Sequence, residues 1–522
     1  MKKIFSILAI ATILLATSCA KDYLNTDPTD RVSGTAIFTS AENAMTAVNG
    51  LYRMLYTGNW GDGWAAENGG LPAFILAFDL MAEDHMMDSQ GSGWFYEDYR
   101  YGIWGDYTHN AGRQYQVWNF FYSVVCNANY ILANTDESGN PTFEGDPNYA
   151  KYVVAQAYAM RSYAYMMLVQ MYQQNDPSLP GVPLYSEPTV AGSEGKGRGT
   201  VKDVYDQANK DIDKAIELLE GSSLKQQHKS HIDKYVAYGL KARHALVQQD
   251  FATALDAAKK AMGGAQIAAF ADIEHVNSIA AKDVMWGLAI QTDQAIGNYD
   301  IYAHMDADSK GSYSRGRHLI SNWLYDQMSE TDARRGWWTA PLPESEWGTA
   351  GTGEGSKRSW CQKKLVYINA ASSTGDHILM RVEEMYLTAA EAACRLGQYD
   401  EARKYLKDVC SLRDSKYQAR LDKVINEKTY NTNTVGNIST LMDEILLQRR
   451  IELWGELPRM FDLQRLHLGF DRNWAGTNHT LTISSVNTKA GSPAFILWIP
   501  QSEFDGNSSL DPINDQNPSQ RN

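Results

Sequence analysis

The chain has 522 residues, more than the ~250–300 at which a single hydrophobic core stops growing, and no low-complexity linker divides it, so two intimately packed halves are expected. A net charge of −14 at pH 7 argues against a nucleic-acid partner, because phosphate binding needs clustered Lys and Arg that release counterions. With 30 Tyr and 14 Trp against 14 Phe, the aromatic content favours rings with polar handles, which suit half-exposed ligand platforms and equally a large Tyr-rich helical core.

At the N-terminus, residues 1–22 read MKKIFSILAIATILLATSCAKD. Lys2 and Lys3 supply a positive start, Ile4 to Ala16 a short apolar run, and Ala16, Thr17 and Ser18 the small residues that signal peptidase needs. The pattern predicts a lipoprotein signal over 1–18 and a covalent lipid on Cys19, the one cofactor-like group expected. The apolar run is shorter than the ~20 residues of a membrane-spanning helix, and nothing after Cys19 approaches that length. Each buried CH₂ contributes ~0.8 kcal/mol, so a Cys19 carrying several acyl chains holds the mature body on a membrane while the body itself stays in water.

Two glycine-rich stretches then concentrate rings: Asn59 to Trp64 (NWGDGW) and Ser92 to Tyr107 (SGWFYEDYRYGIWGDY). Trp60, Trp64, Trp94, Tyr96, Tyr99, Tyr101 and Trp104 stand among Gly, Asp and Asn, residues that favour turns over packed interiors. A sugar ring offers C–H faces to an aromatic plane and hydroxyls to carboxylates and amides, so these loops suit carbohydrate; a buried loop mini-core satisfies the same pattern. Between the two stretches, Glu83, Asp84, His85 and Asp88 form an acidic cluster that fits no zinc spacing and reads as a solvated turn.

Helices follow. Gln156 to Tyr172 is apolar nearly all round, which marks a buried helix, and Val201 to Leu219 is amphipathic, with Thr200 as N-cap and Gly221 as its stop. Tyr235 to Met262 and Arg381 to Val409 share a finer pattern, in which an aromatic precedes small residues, a turn, and a second aromatic followed by Ala. Small residues let two helices approach closely while the second ring plugs the gap, which is tetratricopeptide logic. The wide separation of the two hairpins predicts that the residues between them leave the helical array and return. That excursion holds a second group of rings, Tyr299, Tyr302, Trp337, Trp338, Trp347 and Trp360.

Catalytic motifs do not emerge. Gly192 to Thr200 (GSEGKGRGT) has Gly197 where a phosphate loop needs Ser or Thr after its Lys and reads as a flexible loop. Asp306 to Gly311 begins like a calcium loop but places Lys310 and Arg317 at ligand positions. Paired carboxylates for glycoside hydrolysis have no fixed spacing, so a hydrolase on a helical scaffold stays an alternative. Cys126, Cys361, Cys394 and Cys410 make no CxxC pair, and Cys394 and Cys410 flank a helical turn from positions about 15 Å apart that should not bridge.

The order of several loose motifs is more specific than any one of them: CAKDYLNTDPTD, WNFFYSVVCNANYILAN, AQAYAMRSYAYMMLVQMY, MRVEEMYLTAAEA, ILLQRRIELWGELPRMFDLQRL and WIPQSEF. In this the chain resembles the SusD/RagB-like outer-membrane lipoproteins of Bacteroidetes along nearly its whole length. The resemblance implies a predominantly α fold, with tetratricopeptide-like hairpins as scaffold and long irregular, aromatic-rich loops as ligand surface. It implies an N-terminal region over 19–220 and a C-terminal region over 221–522 packed on it as one unit. It also implies oligosaccharide binding without catalysis, as a lid on a SusC-like TonB-dependent transporter at the cell exterior. Trp60, Trp64, Trp94, Tyr96, Tyr99, Trp104, Tyr299 and Tyr302 are the expected ligand contacts, and a tetratricopeptide adaptor that binds only protein or peptide is the other alternative. Arg381, Glu383, Glu391, Arg449, Arg450, Glu452 and Arg459 then read as charges that fix helix packing, with partner contact as a minor alternative for Arg450, Glu452, Glu456 and Arg459. Gln448 departs from the Glu common in the family and is expected to weaken an ion pair.

Overall fold

The computed structural model describes residues 37–518 apart from 62, 64, 102–111, 191 and 310–312. The signal over 1–18, Cys19, Lys21, Asp22, Trp64 and Trp104 lie outside the described residues.

Helix α1 (Ala41–Met54) opens at Ser40, whose side chain accepts from the Asn43 N–H. Helix α2 (Leu71–Leu80) is apolar but for Asp79 and buried throughout. Its Leu71, Phe74 and Phe78 join one core and its Ala73, Leu76 and Leu80 a second, so α2 is the wall the two cores share. Helices α3 (Arg113–Leu132), α4 (Pro147–Tyr172) and α5 (Val201–Glu220) pack consecutively on one another. The buried helix expected over 156–172 starts earlier, at Pro147, because Asp146 caps the Asn148 N–H and proline fits the first turn. In α5, Thr200 accepts from the Asp203 N–H while Asp203 accepts from the Thr200 N–H, a reciprocal cap worth about 1 kcal/mol.

The two predicted hairpins form as α6 (Lys234–Val247) with α7 (Phe251–Ala261), and α8 (Val382–Arg395) with α9 (Tyr399–Cys410). Although 120 residues separate α7 from α8 in sequence, the two lie side by side. Their small residues, among them Ala254, Ala258, Ala390 and Ala393, are fully buried and permit that approach. The excursion is closed at its root by two antiparallel strands, Val284–Leu288 and His377–Arg381, with Val284 opposite Arg381 and Leu288 opposite His377. The returning strand runs straight into α8. Gly239 in α6 lies against it so closely that an added Cβ would stand 2.4 Å from the Met380 sulfur.

The second core is the product of the excursion: Trp337, Trp338, Tyr302, Met305 and Cys361 meet Leu447, Ile451 and Trp454 there. These last three belong to α10 (Leu441–Glu452) and the turn after it, which also feeds Leu441, Met442 and Ile445 to the first core. Both cores draw on residues from either side of position 220. Helices α11 (Arg459–Arg465) and α12 (Gln501–Gly506) complete the described scaffold.

Charge lies unusually deep. Arg381 pairs with Glu452, Glu456 and Asp283, Arg413 with Glu383 and Glu452, and Arg465 with Glu391 and Asp462. Glu83 and Asp84 are buried against Arg450 and Arg459, and His85 is fully buried, so the solvated turn expected there is corrected: their charges are neutralised by arginines from α10 and α11. The same pairs consume Arg450, Glu452, Glu456 and Arg459 internally, which removes them as a partner surface. Gln448 is also internal, accepting from Arg334 at 2.6 Å and donating to Glu444 at 2.8 Å, a neutral bridge in place of the ion pair that Glu would make with Arg334. Cys126, Cys361, Cys394 and Cys410 are all free.

Candidate functional site

A second ladder sets two loop segments side by side. His85–Met87 and His318–Ile320 are antiparallel, with His85 opposite Ile320 and Met87 opposite His318. The chain after Met87 therefore runs along residues 313–317. Gly91, left-handed at φ 54°, sits so near this segment that an added Cβ would stand 2.1 Å from the Gly316 nitrogen. Asp88 accepts from Arg317 Nε at 2.9 Å and Arg358 Nε at 3.2 Å. Arg358 in turn lies 3.3 Å from the centroid of the Trp347 ring, which ties the loop 340–360 to the same place.

One residue decides which rings face out. Phe95 is left-handed at φ 62° and fully buried, its N–H donating to Glu67 Oε1 at 2.9 Å. Its neighbours Trp94 and Tyr96 are consequently turned to the surface and half-buried. Trp94 and Tyr313 both meet His304 edge-on, at 6.5 and 5.8 Å between centroids. His304 is buried, and burial pushes its pKa down to about 4, so the floor beneath these rings is a neutral imidazole at neutral pH. Trp323 and Trp360 rest half-buried on the same second core as Trp94, Tyr96 and Tyr313. Trp474, also half-buried, donates its Nε1–H to Asn322 at 3.1 Å and meets His479 edge-on.

The predicted contacts separate on this map. Trp94 and Tyr96 come together on the rim of the second core. Trp60 is half-buried on the first core instead, edge-on to Phe120 at 5.0 Å with Nε1–H donating to Thr57 O. Tyr299 is half-buried in a short turn, Gly297–Tyr299, that packs on the turn Ala66–Asn68. Tyr99 and Tyr302 require correction, since both are core rings with no face toward solvent. Tyr99 is hydrogen-bonded to His479 Nδ1 at 2.7 Å, and Tyr302 stacks on His377 at 5.2 Å while donating to Asp376 O at 2.6 Å. Burial raises both phenol pKa values far above the ordinary range. Trp337 and Trp338 are buried likewise.

Tyr313, Trp323 and Trp474 were missed. The composition rule that found Trp94 would have found Tyr313 in GSYSRG and Trp474 in DRNWAGT. Trp323 is the second residue of a short helix capped by Ser321 and carries no such signal; it is recognisable only beside Arg450, whose guanidinium lies 4.7 Å from its ring centroid.

A helical-hairpin scaffold whose excursion presents half-exposed rings defines the class, and the comparisons give the family. Residues 76–246 match a family model described as starch-binding associating with outer membrane, and residues 298–519 one described as the SusD family. Together the matches span well over half of the chain, which belongs to the SusD/RagB-like family. Among solved structures, a SusD-like carbohydrate binding protein from Bacteroides vulgatus is 24% identical, with a TM-score of 0.73 over 91% of this chain and 98% of its own. A laminarin binding SusD-like protein is 20% identical, TM-score 0.65, over 92% and 100%. NanU of B. fragilis is 17% identical, TM-score 0.65, over 95% and 100%. No curated protein matches. Among the described residues no helix is long and apolar enough to cross a membrane.

Proposed function

We propose that this chain is a lipid-anchored glycan-binding subunit of a TonB-dependent nutrient importer, held at the cell exterior by Cys19 and acting as a lid on a SusC-like transporter. The observation that carries the reading is the set of half-exposed rings, Trp94, Tyr96, Tyr313, Trp323 and Trp360, on one rigid core. Aromatic faces pre-positioned by a packed interior bind pyranose C–H faces at low entropic cost, while the loops around them supply hydroxyls, amides and carboxylates. A capture subunit binds and releases without cleaving, and relatives named for carbohydrate and laminarin binding support the ligand class. Lys21 and Asp22 after Cys19 resemble the charged signal for surface export in these bacteria.

Affinity electrophoresis and calorimetry against a polysaccharide panel test the reading. Binding that falls at least tenfold in Trp94→Ala and Trp360→Ala is expected; unchanged binding in both removes this rim as the platform. Shortened oligosaccharide after incubation would instead indicate a hydrolase. Co-purification with a transporter but no glycan affinity would indicate a protein-only adaptor.

A further inference from the structure

A spacious cleft lies away from that rim, on the first core, and has a volume of about 880 Å³. Its floor is one stripe of α3: Tyr115, Asn119, Tyr122, Cys126 and Asn129 recur at the spacing that normally packs one helix on another. Here Tyr115, Asn119, Tyr122 and Cys126 border open space between residues 185–189 and 193–196 on one side and the C-terminal residues 502–507 on the other, while Asn129 is buried beneath the loop. A volume of this size falls in the ~300–1,000 Å³ range of small-molecule sites.

The walls are fixed. Asn507, 3% exposed, donates to Lys196 O at 2.9 Å and to Glu503 Oε1 at 2.8 Å. Gly195 lies against it so tightly that an added Cβ would stand 1.9 Å from Asn507 Oδ1. Behind the loop, buried Arg198 donates to Gly181 O, Asp515 O and Asn517 Oδ1. From the floor, Tyr122 donates to Pro183 O at 2.8 Å, Asn129 to Tyr185 O and Glu187 O, and Trp118 Nε1–H to Glu503 at 3.1 Å. The glycine-rich stretch read from sequence as a flexible loop is thus pinned at several points, and the cleft it borders is preorganised.

We infer that this cleft is a second ligand site for a short, neutral oligosaccharide, an inference that rests on the glycan-binding reading above. Half-buried Tyr115, Tyr122 and Tyr185 supply ring surface, and Asn119, Ser123 and Ser502 border it with groups that can donate and accept to hydroxyls. Three carboxylates, Glu187, Glu194 and Glu503, face a single ammonium, Lys196, so the local charge repels uronate, sulfated or phosphorylated chains. The rim and the cleft sit on different cores, so they can hold two ligands, or two stretches of one polysaccharide, and add avidity without new contacts.

The test is calorimetry on the full mature chain with a neutral glycan that binds it, comparing wild type, Trp94→Ala, Ser123→Trp to fill the cleft, and Tyr115→Ala to remove one ring. Melting temperatures are taken alongside, and hydrogen exchange over residues 185–196 provides a local readout. Expected are two binding events in wild type, survival of one in Trp94→Ala, its loss in Ser123→Trp, weakening of about tenfold in Tyr115→Ala, and ligand-induced protection of the loop that only the cleft variants lose. Complete loss in Trp94→Ala, with wild-type stoichiometry in both cleft variants, overturns the cleft and leaves the glycan reading standing. No binding by wild type to any glycan, neutral or acidic, overturns both.

Discussion

Arg381 Nη1 donates to Glu452 Oε1 at 3.0 Å in the interior, and Arg413 Nη2 donates to the same oxygen at 3.1 Å. Arg334 reaches the other Glu452 oxygen at 3.2 Å, so one carboxylate on α10 holds three arginines from three separate segments of the chain. Burial alone would raise the Glu452 pKa, but Arg413, Arg381 and Arg334 overrule it and hold the group well below the usual carboxylate range.

Glu452→Gln should therefore destabilise the fold severely, by about 3–5 kcal/mol, because it strands buried cations rather than deleting a surface contact. The sign with pH follows: a depressed folded pKa stabilises above the unfolded value of about 4.3 and loses that contribution as pH falls. Urea denaturation at pH 7 and pH 4 checks both; a variant within 1 kcal/mol of wild type at pH 7 would contradict the role assigned to this carboxylate.

Asp79 and His85 form a second buried device. His85 Nδ1 lies 2.7 Å from Asp79 Oδ2, and its Nε2 lies 2.9 Å from His318 Nδ1. Burial pushes Asp79 up to about 7 and His85 down to about 3. The raised Asp79 contributes stability that is complete below its unfolded pKa of about 4 and lost as pH rises through 7; the lowered His85 contributes stability present above about 6.5 and lost toward 3. Between about pH 4 and 6.5 the two slopes oppose. Asp79→Asn removes one of them, so its stability should climb with pH more steeply than wild type, by up to about 1.4 kcal/mol per unit. Parallel denaturation series at pH 4.5 and 6.5 reveal the difference, and equal slopes would show that Asp79 holds no proton there.

The hairpin turns allow a cleaner test. Gly397 ends α8 in the left-handed region at φ 77°, where an added Cβ would meet nothing within 4 Å. Gly397→Ala should cost about 1 kcal/mol from backbone conformation alone, with no packing contribution. The equivalent place after α6 is held by Gln249 at φ 60°, which tolerates the strain while donating to Arg465 O at 3.1 Å. Thermal unfolding of Gly397→Ala compared with Gly397→Asn separates the two factors, since Asn enters this region more readily and should recover part of the loss.

These features were unequally legible. The hairpins could be read because their signal is local: small residues at helical spacing, a turn, and a ring. The burial of Asp84 could not, because its partner Arg450 lies 366 residues further on and a Glu-Asp-His run looks the same in a solvated turn. Ring composition located Trp94 and Tyr96 but could not tell them from Tyr99, three residues beyond Tyr96. Which ring turns inward is set by the left-handed Phe95 and by His479, and neither leaves a mark in the local sequence. The cleft on α3 was invisible for a related reason: its stripe looks like any packing face until the chain that caps its Asn129 end is seen to leave the rest of it uncovered.

Phe95 and Trp94 should accordingly behave as opposites. Phe95→Ala empties a fully buried site and should cost about 3–5 kcal/mol, lowering the melting temperature and displacing both neighbouring rings. Trp94→Ala removes a half-exposed ring and should leave melting nearly unchanged while weakening glycan binding. Measuring both quantities on both variants distinguishes platform from support; a large loss of stability in Trp94→Ala would make that ring a structural plug.

The lipid anchor proposed on Cys19 depends on none of this geometry. Each acyl chain contributes ~0.8 kcal/mol per buried CH₂, and stable attachment needs more than one, so Cys19→Ser should release the protein from membranes rather than weaken its hold by degrees. Replacing Lys21 and Asp22 by Ala leaves acylation intact and removes only the charged signal. The expected result is protein that stays in the membrane fraction yet escapes labelling by an impermeant reagent on intact cells. If the double variant is labelled as strongly as wild type, the exterior address must be carried elsewhere in the chain, and Cys19 serves as tether alone.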